Sequence, residues 1–455
     1  MWFKVTSKNI NNVEQVHYFN NVNHIVKDSL GQTINFKDDP RFHLFTSKKF
    51  TKPLKRIYKK SDVEHLRIQL GLNCNFSCKY CNQSACKDSY LKDKQISLPP
   101  ESTIKNFIKL LNKNNIQALK LINLWGGEPF VYWKYIKILI PELLKLYPTV
   151  RICILSNGSL LNQEIINFLI KYRINLTISH DAQGFNAYRD DNDPLENPKI
   201  VKLLQQFIDA SEESKQLWDS FSEEEKNLDV IKEKHKPFNF SINTVITPAN
   251  LEIHKIPAYF YLKLGREVQF HFESIVKASK EVKQILGPFT EEQKRLVTNE
   301  IFSKACINST NYKDNPFYSL RDRVSTIIDV FVNKIPSEYR EIICDVASDR
   351  TLATDLQGNI LACHGADAKN WTIGHLNTVN ETINYKVKGW SERPHCPNCP
   401  FTAFCGGGCV IATDEDSQEM CEYLKIYHGA LFAAAWFALV NGIISSIEPC
   451  PEMEE

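Results

Sequence analysis

Three cysteines, Cys74, Cys78 and Cys81, stand within eight residues in CNFSCKYC, a C-x3-C-x2-C spacing. Loops this short bring three thiolates onto one inorganic core. Three protein ligands leave one position of a four-iron core open. An open position is what a catalytic metal needs, whereas a structural site is closed. Zinc is the competing reading, but it prefers four ligands and C-x2-C spacings. Cys86 breaks the compact spacing and reads as a bystander.

A second group lies far along the chain. Cys396, Cys399, Cys405 and Cys409 form C-x2-C-x5-C-x3-C in CPNCPFTAFCGGGC. Gly406, Gly407 and Gly408 let the backbone wrap closely and aim amides at sulfur. Cys344 and Cys363 precede this array, with Gly358 shortly before Cys363, and Cys421 follows it. His364 and His395 stand close enough to serve as extra ligands, so a zinc module competes here too. Cys153 lies in a strand pattern and reads as core packing; Cys450 reads as a tail residue.

Between the two groups, short polar motifs fall at the ends of apolar runs. Gly126, Gly127, Glu128 and Pro129 spell GGEP, and Ser156, Asn157 and Gly158 follow the next run. Ser179 and Asp181 follow the one after, and then comes Arg189. The glycines permit close backbone approach, Glu128 is a candidate for binding an ammonium, and Arg189 for pairing with a carboxylate. Each motif alone is an ordinary turn. Four in order at successive strand ends carry more weight.

The elements that must hold these groups alternate. Apolar runs at His65–Leu72, Ala118–Trp125, Val150–Leu155, Leu176–Ser179, Phe238–Ile246 and Val268–Phe272 are predicted strands. Helical patterns at Ser102–Leu111, Tyr132–Leu146, Gln163–Tyr172, Pro198–Ala210 and Ile253–Leu264 separate them. This alternation predicts an α/β fold with a parallel sheet, a partial (β/α)6 TIM-type barrel. The first cysteine loop follows the first strand, at the face where such barrels place their chemistry. The expected division is 1–62, an N-terminal extension or hairpin; 63–275, the barrel; 276–340, bridging helices; and 341–455, a cysteine-rich domain ending in a helix. The charged stretch 211–236 reads as a solvated helical insertion.

Composition narrows the class. The 455 residues are 43% hydrophobic with a net charge of +2. That supports a large core and gives no general pull toward nucleic acid or an anionic membrane. The N-terminus carries no apolar signal segment, so a cytoplasmic protein is expected. Fourteen cysteines in a reducing compartment point to metal or catalysis rather than disulfides. Ile426–Ile447 lacks Asp, Glu, Lys and Arg, but it contains Asn441, Gly442, Ser445 and Ser446 and is read as a buried C-terminal helix rather than a membrane span.

The first motif set resembles the radical S-adenosylmethionine (SAM) superfamily, whose cluster motif has this spacing with an aromatic residue, here Tyr80, before the last cysteine. The resemblance spans about residues 64–275. It implies that SAM chelates the open iron of a [4Fe-4S] cluster held by Cys74, Cys78 and Cys81. One electron then yields methionine and a 5′-deoxyadenosyl radical, which takes a hydrogen from the substrate. It further implies that GGEP meets the methionine amino group, Ser156 and Asn157 the ribose, and Ser179, Asp181 and Arg189 the rest of SAM.

The second set resembles the SPASM domain of peptide-modifying radical SAM enzymes, over about residues 344–421. This implies two auxiliary [4Fe-4S] clusters, three clusters in all. Cys344, Cys363 and Cys409 would hold the first, and Cys396, Cys399, Cys405 and Cys421 the second. Fully ligated members carry one more cysteine shortly before Cys344; here Cys306 is the nearest upstream candidate, and without it one iron is open. The resemblance implies a maturase acting on a ribosomally made precursor peptide, with crosslinking, dehydrogenation, or backbone rearrangement or excision as outcomes. A flavodoxin- or ferredoxin-type electron donor is implied too. Residues 1–62 are short for a winged-helix leader-binding domain, so a separate leader-binding partner is expected. A sulfatase-maturase-like oxidase is the enzymatic alternative. That branch carries an acid after the cysteine matching Cys363, where this chain has His364, a candidate base. A non-catalytic electron carrier or metal scaffold is the alternative from another class.

Overall fold

A computed structural model describes residues 1–43, 45, 56–57, 62–81, 83, 99–114, 116–274, 287, 289–306, 315–340, 342–344, 348, 350–378, 382–383 and 387–453. Cys86 lies outside them. The strands are β1 (Trp2–Lys8), β2 (Glu14–Asn20), β3 (Val26–Lys27), β4 (Thr33–Ile34), β5 (Arg56–Ile57), β6 (His65–Gln69), β7 (Leu121–Trp125), β8 (Arg151–Ser156), β9 (Asn175–Ser179), β10 (Phe240–Val245), β11 (Gln269–Glu273), β12 (Thr351–Asp355), β13 (Asn359–Leu361), β14 (Thr372–His375), β15 (Thr382–Ile383) and β16 (Ile443–Pro449). The principal helices are α1 (Pro100–Asn114), α2 (Trp133–Leu146), α3 (Gln163–Lys171), α4 (Pro198–Asp219), α5 (Lys255–Leu264), α6 (Glu291–Ala305), α7 (Tyr318–Val332) and α8 (Asp414–Val440).

Strands β6 to β11 lie side by side in chain order and all parallel, the partial (β/α)6 barrel. Alternation decides which side chains face where. One face carries Leu66, Ile68, Ile122, Leu124, Ile152, Ile154, Leu176 and Ile178, all buried beneath the helices. The opposite face carries Arg67, Gln69, Asn123, Trp125, Thr177, Ser179, Ser241 and Asn243. A closed eight-stranded barrel fills that interior with branched aliphatic layers. Here it is largely polar, with Cys153, Leu155 and Val245 among the polar residues, and mostly half-exposed.

Both edges of the barrel are covered, by different means. β12 adds in parallel to β6, and the antiparallel β13 and β14 extend the sheet to nine strands. The cysteine-rich region therefore begins as a continuation of the barrel sheet, not beyond a boundary at 341. At the other edge, side chains pair with the β11 backbone. Ser319 Oγ of α7 accepts from Phe272 N at 3.0 Å, and Tyr427 Oη of α8 donates to Phe272 O at 3.0 Å. Such pairing blunts an edge that would otherwise offer unpaired peptide groups. The bridging helices α6 and α7 both pack on α8.

The termini depart from expectation. Residues 1–62 supply β1–β4 of a five-stranded antiparallel sheet whose fifth strand is the C-terminal β16. The apolar C-terminal run is accordingly not one helix. α8 stops at Asn441, which takes a left-handed conformation (φ 56°), and the chain returns as β16 along β1. A short polar side chain tolerates that conformation where a branched one does not. α8 is the one helix among the described residues long and apolar enough to cross a membrane. In this fold it is a core helix, with Ala430, Leu431, Phe432, Ala434, Ala435 and Trp436 buried. The charged stretch 211–236 is helical as read, completing α4 and adding turns at Glu223–Asn227 and Asp229–His235.

Trp436 joins the terminal sheet to α7 and α8. Its ring lies 5.9 Å from Phe19, 6.1 Å from Phe331 and 5.4 Å from Phe432. Trp436→Ala is expected to lower unfolding free energy by about 3–5 kcal/mol, read by chemical denaturation. A loss below about 1 kcal/mol would contradict a shared core here.

Candidate active site and cluster-binding loops

β6 ends at Gln69 and runs straight into the first cysteine loop. That loop is placed by backbone. Leu70 N donates to Trp125 O at 2.8 Å, Gly127 N to Gly71 O at 2.9 Å, and Glu128 N to Asn73 O at 2.9 Å. Asn73 N donates to Tyr132 Oη at 2.9 Å. The GGEP glycines make this approach possible. A Cβ on Gly126 would meet Gly71 O at 2.4 Å, and one on Gly127 would meet Asn73 O at 2.2 Å. Both distances are below contact for any real side chain, so only glycine fits. Asn75 of the loop is tied to the third strand end by Asn157 Nδ2 (2.9 Å) and by its own bond to Ser159 Oγ (2.8 Å).

Glu128 and Arg189 are both engaged within the protein. Glu128 is 1% exposed and accepts from Ser156 Oγ (2.8 Å), Asn157 N (2.7 Å) and Phe130 N (3.0 Å). Both of its oxygens are engaged by the protein, so it braces the second strand end against the third. Pro129 follows it as the first residue of a buried turn, Pro129–Tyr132. Asp181 is fully buried and pairs with Arg189, whose Nη2 donates to Oδ1 at 3.1 Å while Nε lies 3.0 Å from Oδ2 in an ion pair. The Tyr80 hydroxyl also donates to Asp181, and the Arg189 guanidinium lies 5.5 Å over the Tyr80 ring. Asp181 thus ties the residue before Cys81 to the fourth strand end. Burial and the adjacent carboxylate push the Tyr80 hydroxyl well above its ordinary range. Ser179 ends β9 on the lumen face.

Ten of the thirteen described cysteines fall into three groups. Cys78 has Cys74 and Cys81 as thiol neighbours, and Phe76 N points at Cys74 Sγ (3.4 Å). Cys363 has Cys344 and Cys409 as its thiol neighbours in one small apolar cluster, and Gly365 N points at Cys363 Sγ (3.3 Å). Cys396, Cys399, Cys405 and Cys421 line a single pocket with His395, Thr402 and Gly407. The structure does not bring Cys306 into the Cys344 group. It follows α6 against the main core, with Arg321 as its charged neighbour. Thiol groups with amides aimed at sulfur fit iron–sulfur cores. Among the described residues, no three His, Cys, Asp or Glu side chains converge tightly enough for a single metal ion. Burial pushes the Cys78 thiol up to about 11 and the Cys396 and Cys405 thiols up to about 12. Loading a cluster must therefore release protons. The N-terminal sheet supports the last group: Asn21 Nδ2 donates to Pro397 O (3.2 Å) and Cys399 O (3.0 Å).

His364 sits on the lumen side of β6, 8% exposed. Arg67 Nη1 donates to its Nδ1 at 3.0 Å, and its ring lies 4.2 Å from that of Trp125. Gln69 Nε2 holds its carbonyl at 2.7 Å and that of Ala366 at 2.8 Å. Burial and the Arg67 charge hold the imidazole well below its usual range, so the ring is neutral. Arg67 and Gln69 escaped the sequence reading, although polar residues alternating with Leu66 and Ile68 in an apolar strand were the available signal. Asn73, Asn75 and Tyr132 carried no such signal, because their parts depend on loop contacts distant in sequence.

Two outcomes follow. Gly127→Ala is expected to displace Asn73 and the cysteine loop, cutting reductive SAM cleavage by about tenfold or more at unchanged circular dichroism; wild-type cleavage would contradict the backbone placement. Burial raises the Glu128 carboxyl to about 7. A carboxyl raised in the folded state stabilises fully below its unfolded value of about 4.5 and loses that contribution as pH climbs to about 7. The stability advantage of wild type over Glu128→Gln is therefore expected to shrink by on the order of 2 kcal/mol between pH 5 and pH 8 in urea denaturation. A constant difference would contradict the shift.

Comparison with known proteins fits this geometry. Residues 68–216 match the radical SAM superfamily. The chain is 21% identical to the radical SAM cyclopropyl synthase TigE of Paramaledivibacter caminithermalis, over 80% of this chain and 71% of that protein. It is 29% identical to GTP 3′,8-cyclase of Clostridium perfringens over 23% of this chain and 30% of that protein. The solved structure of native anSMEcpe with bound AdoMet and Cp18Cys peptide has a like fold: TM-score 0.51 and 16% identity, covering 81% of this chain and 99% of that one. The matched segment runs from β6 through the three-cysteine loop and past the second and third strand-end motifs to Asp181 and Arg189, and the cysteines beyond the barrel are consistent with a SPASM domain: residues 68–216 are a radical SAM domain.

Proposed function

We propose that this enzyme is a peptide-modifying maturase that carries two auxiliary [4Fe-4S] clusters besides the one at its radical site. The observation behind this reading is the sorting of the C-terminal cysteines. Four line one cavity, and three gather beside the barrel's first strand. When bound, SAM and its cluster supply a 5′-deoxyadenosyl radical that takes a hydrogen from the substrate. The chain's own residues do the rest. The lumen presents Thr177, Ser179 and Asn243, hydrogen-bonding groups suited to an extended peptide backbone. The Cys344–Cys363–Cys409 group, next to that lumen, would hold an acceptor for the electron released when the substrate radical is oxidised. His364, buried and lumen-facing beside Cys363, is the candidate base.

Two names among the similar proteins support the reading: one is a cyclopropyl synthase, and another was solved with a peptide bound. A precursor peptide is the substrate in this reading, a flavodoxin or ferredoxin the electron donor, a separate small protein the leader binder, and the cytoplasm the compartment. A passive electron carrier would not need the Tyr80–Asp181–Arg189 and Glu128–Ser156–Asn157 networks that surround the first loop.

The test is anaerobic coexpression with a short peptide encoded beside the gene, followed by mass measurement. Loss of two hydrogens, or a larger excision, in the wild type and no change with Cys78→Ser is the expected result. An unmodified peptide, with 5′-deoxyadenosine released from reconstituted enzyme regardless of peptide, would contradict a peptide substrate.

A further inference from the structure

The fourth strand end holds a conformation that its residue types do not favour. Ala182, directly after Asp181, is buried and takes a left-handed backbone conformation (φ 50°). A residue with a Cβ is disfavoured there, and glycine is the usual occupant. Such a conformation persists only where surrounding contacts enforce it.

The enforcing contact is the ring of His180. It is fully buried, and its Nδ1 accepts from Ala182 N at 3.0 Å. A ring nitrogen that accepts carries no proton, so the proton sits on Nε2. Nε2 donates to Asp193 Oδ1 at 2.8 Å. Asp193 is fixed in turn, because Tyr259 Oη donates to its Oδ2 at 3.0 Å and Leu195 N to its Oδ1 at 2.7 Å. The Phe185 ring stacks on the imidazole with centroids 4.5 Å apart. Tautomer and ring orientation are therefore both set from outside the turn.

The turn matters because Asp181 lies within it, between His180 and Ala182. The Asp181 carboxylate takes the Tyr80 hydroxyl next to Cys81, pairs with Arg189, and accepts from Val245 N at 3.0 Å. A relaxed backbone at Ala182 would swing that carboxylate away from the cysteine loop. We infer that His180 is a positioning residue for the radical site. Clamped by Asp193, its ring holds Ala182 left-handed, and through Asp181 it fixes the Tyr80 end of the loop. This goes beyond the maturase reading and rests on the radical SAM domain alone.

The experiment measures reductive SAM cleavage and thermal unfolding side by side on the reconstituted full chain. His180→Asn puts an acceptor, Oδ1, where Nδ1 stands and loses the reach to Asp193. His180→Gln keeps the reach to Asp193 and loses the acceptor. His180→Gln is expected to cut cleavage by about tenfold or more at full iron content. Adding Ala182→Gly to it is expected to restore most of the rate, because glycine adopts the turn without a holder. His180→Asn is expected to keep most of the rate while unfolding at a lower temperature than wild type. A rate that merely follows stability through the series overturns the inference, as does a His180→Gln loss that Ala182→Gly leaves unrestored. If His180→Gln alone does not retain iron, both His180 variants are compared with Ala182→Gly present: equal cleavage supports the inference, and slower cleavage by the His180→Gln pair overturns it. Wild type that holds iron and cleaves no SAM would overturn the radical-site reading instead.

Discussion

The contact on which this structure depends is between two stretches of backbone. The end of β7 presses against the start of the cysteine loop so closely that Gly71 O and Asn73 O occupy the space of any side chain at 126 and 127. Through that contact the parallel sheet fixes where Cys74 begins its loop. The loop's far end is held by Tyr80 on Asp181, and its middle by Asn75 on Asn157. Rigid neighbours thus determine the shape of the loop that carries Cys74, Cys78 and Cys81. A site that must keep one coordination position free needs this kind of external support.

The same economy recurs around the barrel. Glu128 uses its carboxylate on Ser156, Asn157 and Phe130, and Asp181 uses its own on Arg189, Tyr80 and Val245 N. Buried charges of this kind are tolerable only when their hydrogen bonds are satisfied. Their work is to lock strand ends together, leaving the lumen surface to meet ligands. The open sixth strand is closed by α7 and α8, and α8 carries Cys421 six residues before Tyr427, whose hydroxyl caps β11. The helix that seals the barrel therefore also supplies a thiol to the outermost cavity.

What could be read from residue order was local. The C-x3-C-x2-C spacing, the strand–helix alternation and the strand-end motifs all lie within short windows, and their periodicity survives folding. What could not be read was non-local. β1 pairs with a strand over four hundred residues away, and β12 joins β6 across nearly the whole barrel. Neither pairing leaves a trace in composition or period. The apolar stretch at 426–447 misled for a related reason, because hydropathy is blind to Asn441 turning left-handed and sending the chain back as β16. Glu128 and Arg189 read as candidate ligand contacts from their motifs, and no local pattern reveals that each also has partners within the protein.

The central claim is that the Cys74–Cys78–Cys81 loop offers an iron with a vacant coordination position. The most direct measurement is the electron paramagnetic resonance spectrum of reduced, reconstituted protein before and after SAM is added. The account predicts that one cluster signal changes its g values on addition and that this responsive signal is missing from Cys74→Ser, Cys78→Ser and Cys81→Ser alike. A spectrum indifferent to SAM, or a responsive signal that survives all three substitutions, would contradict it.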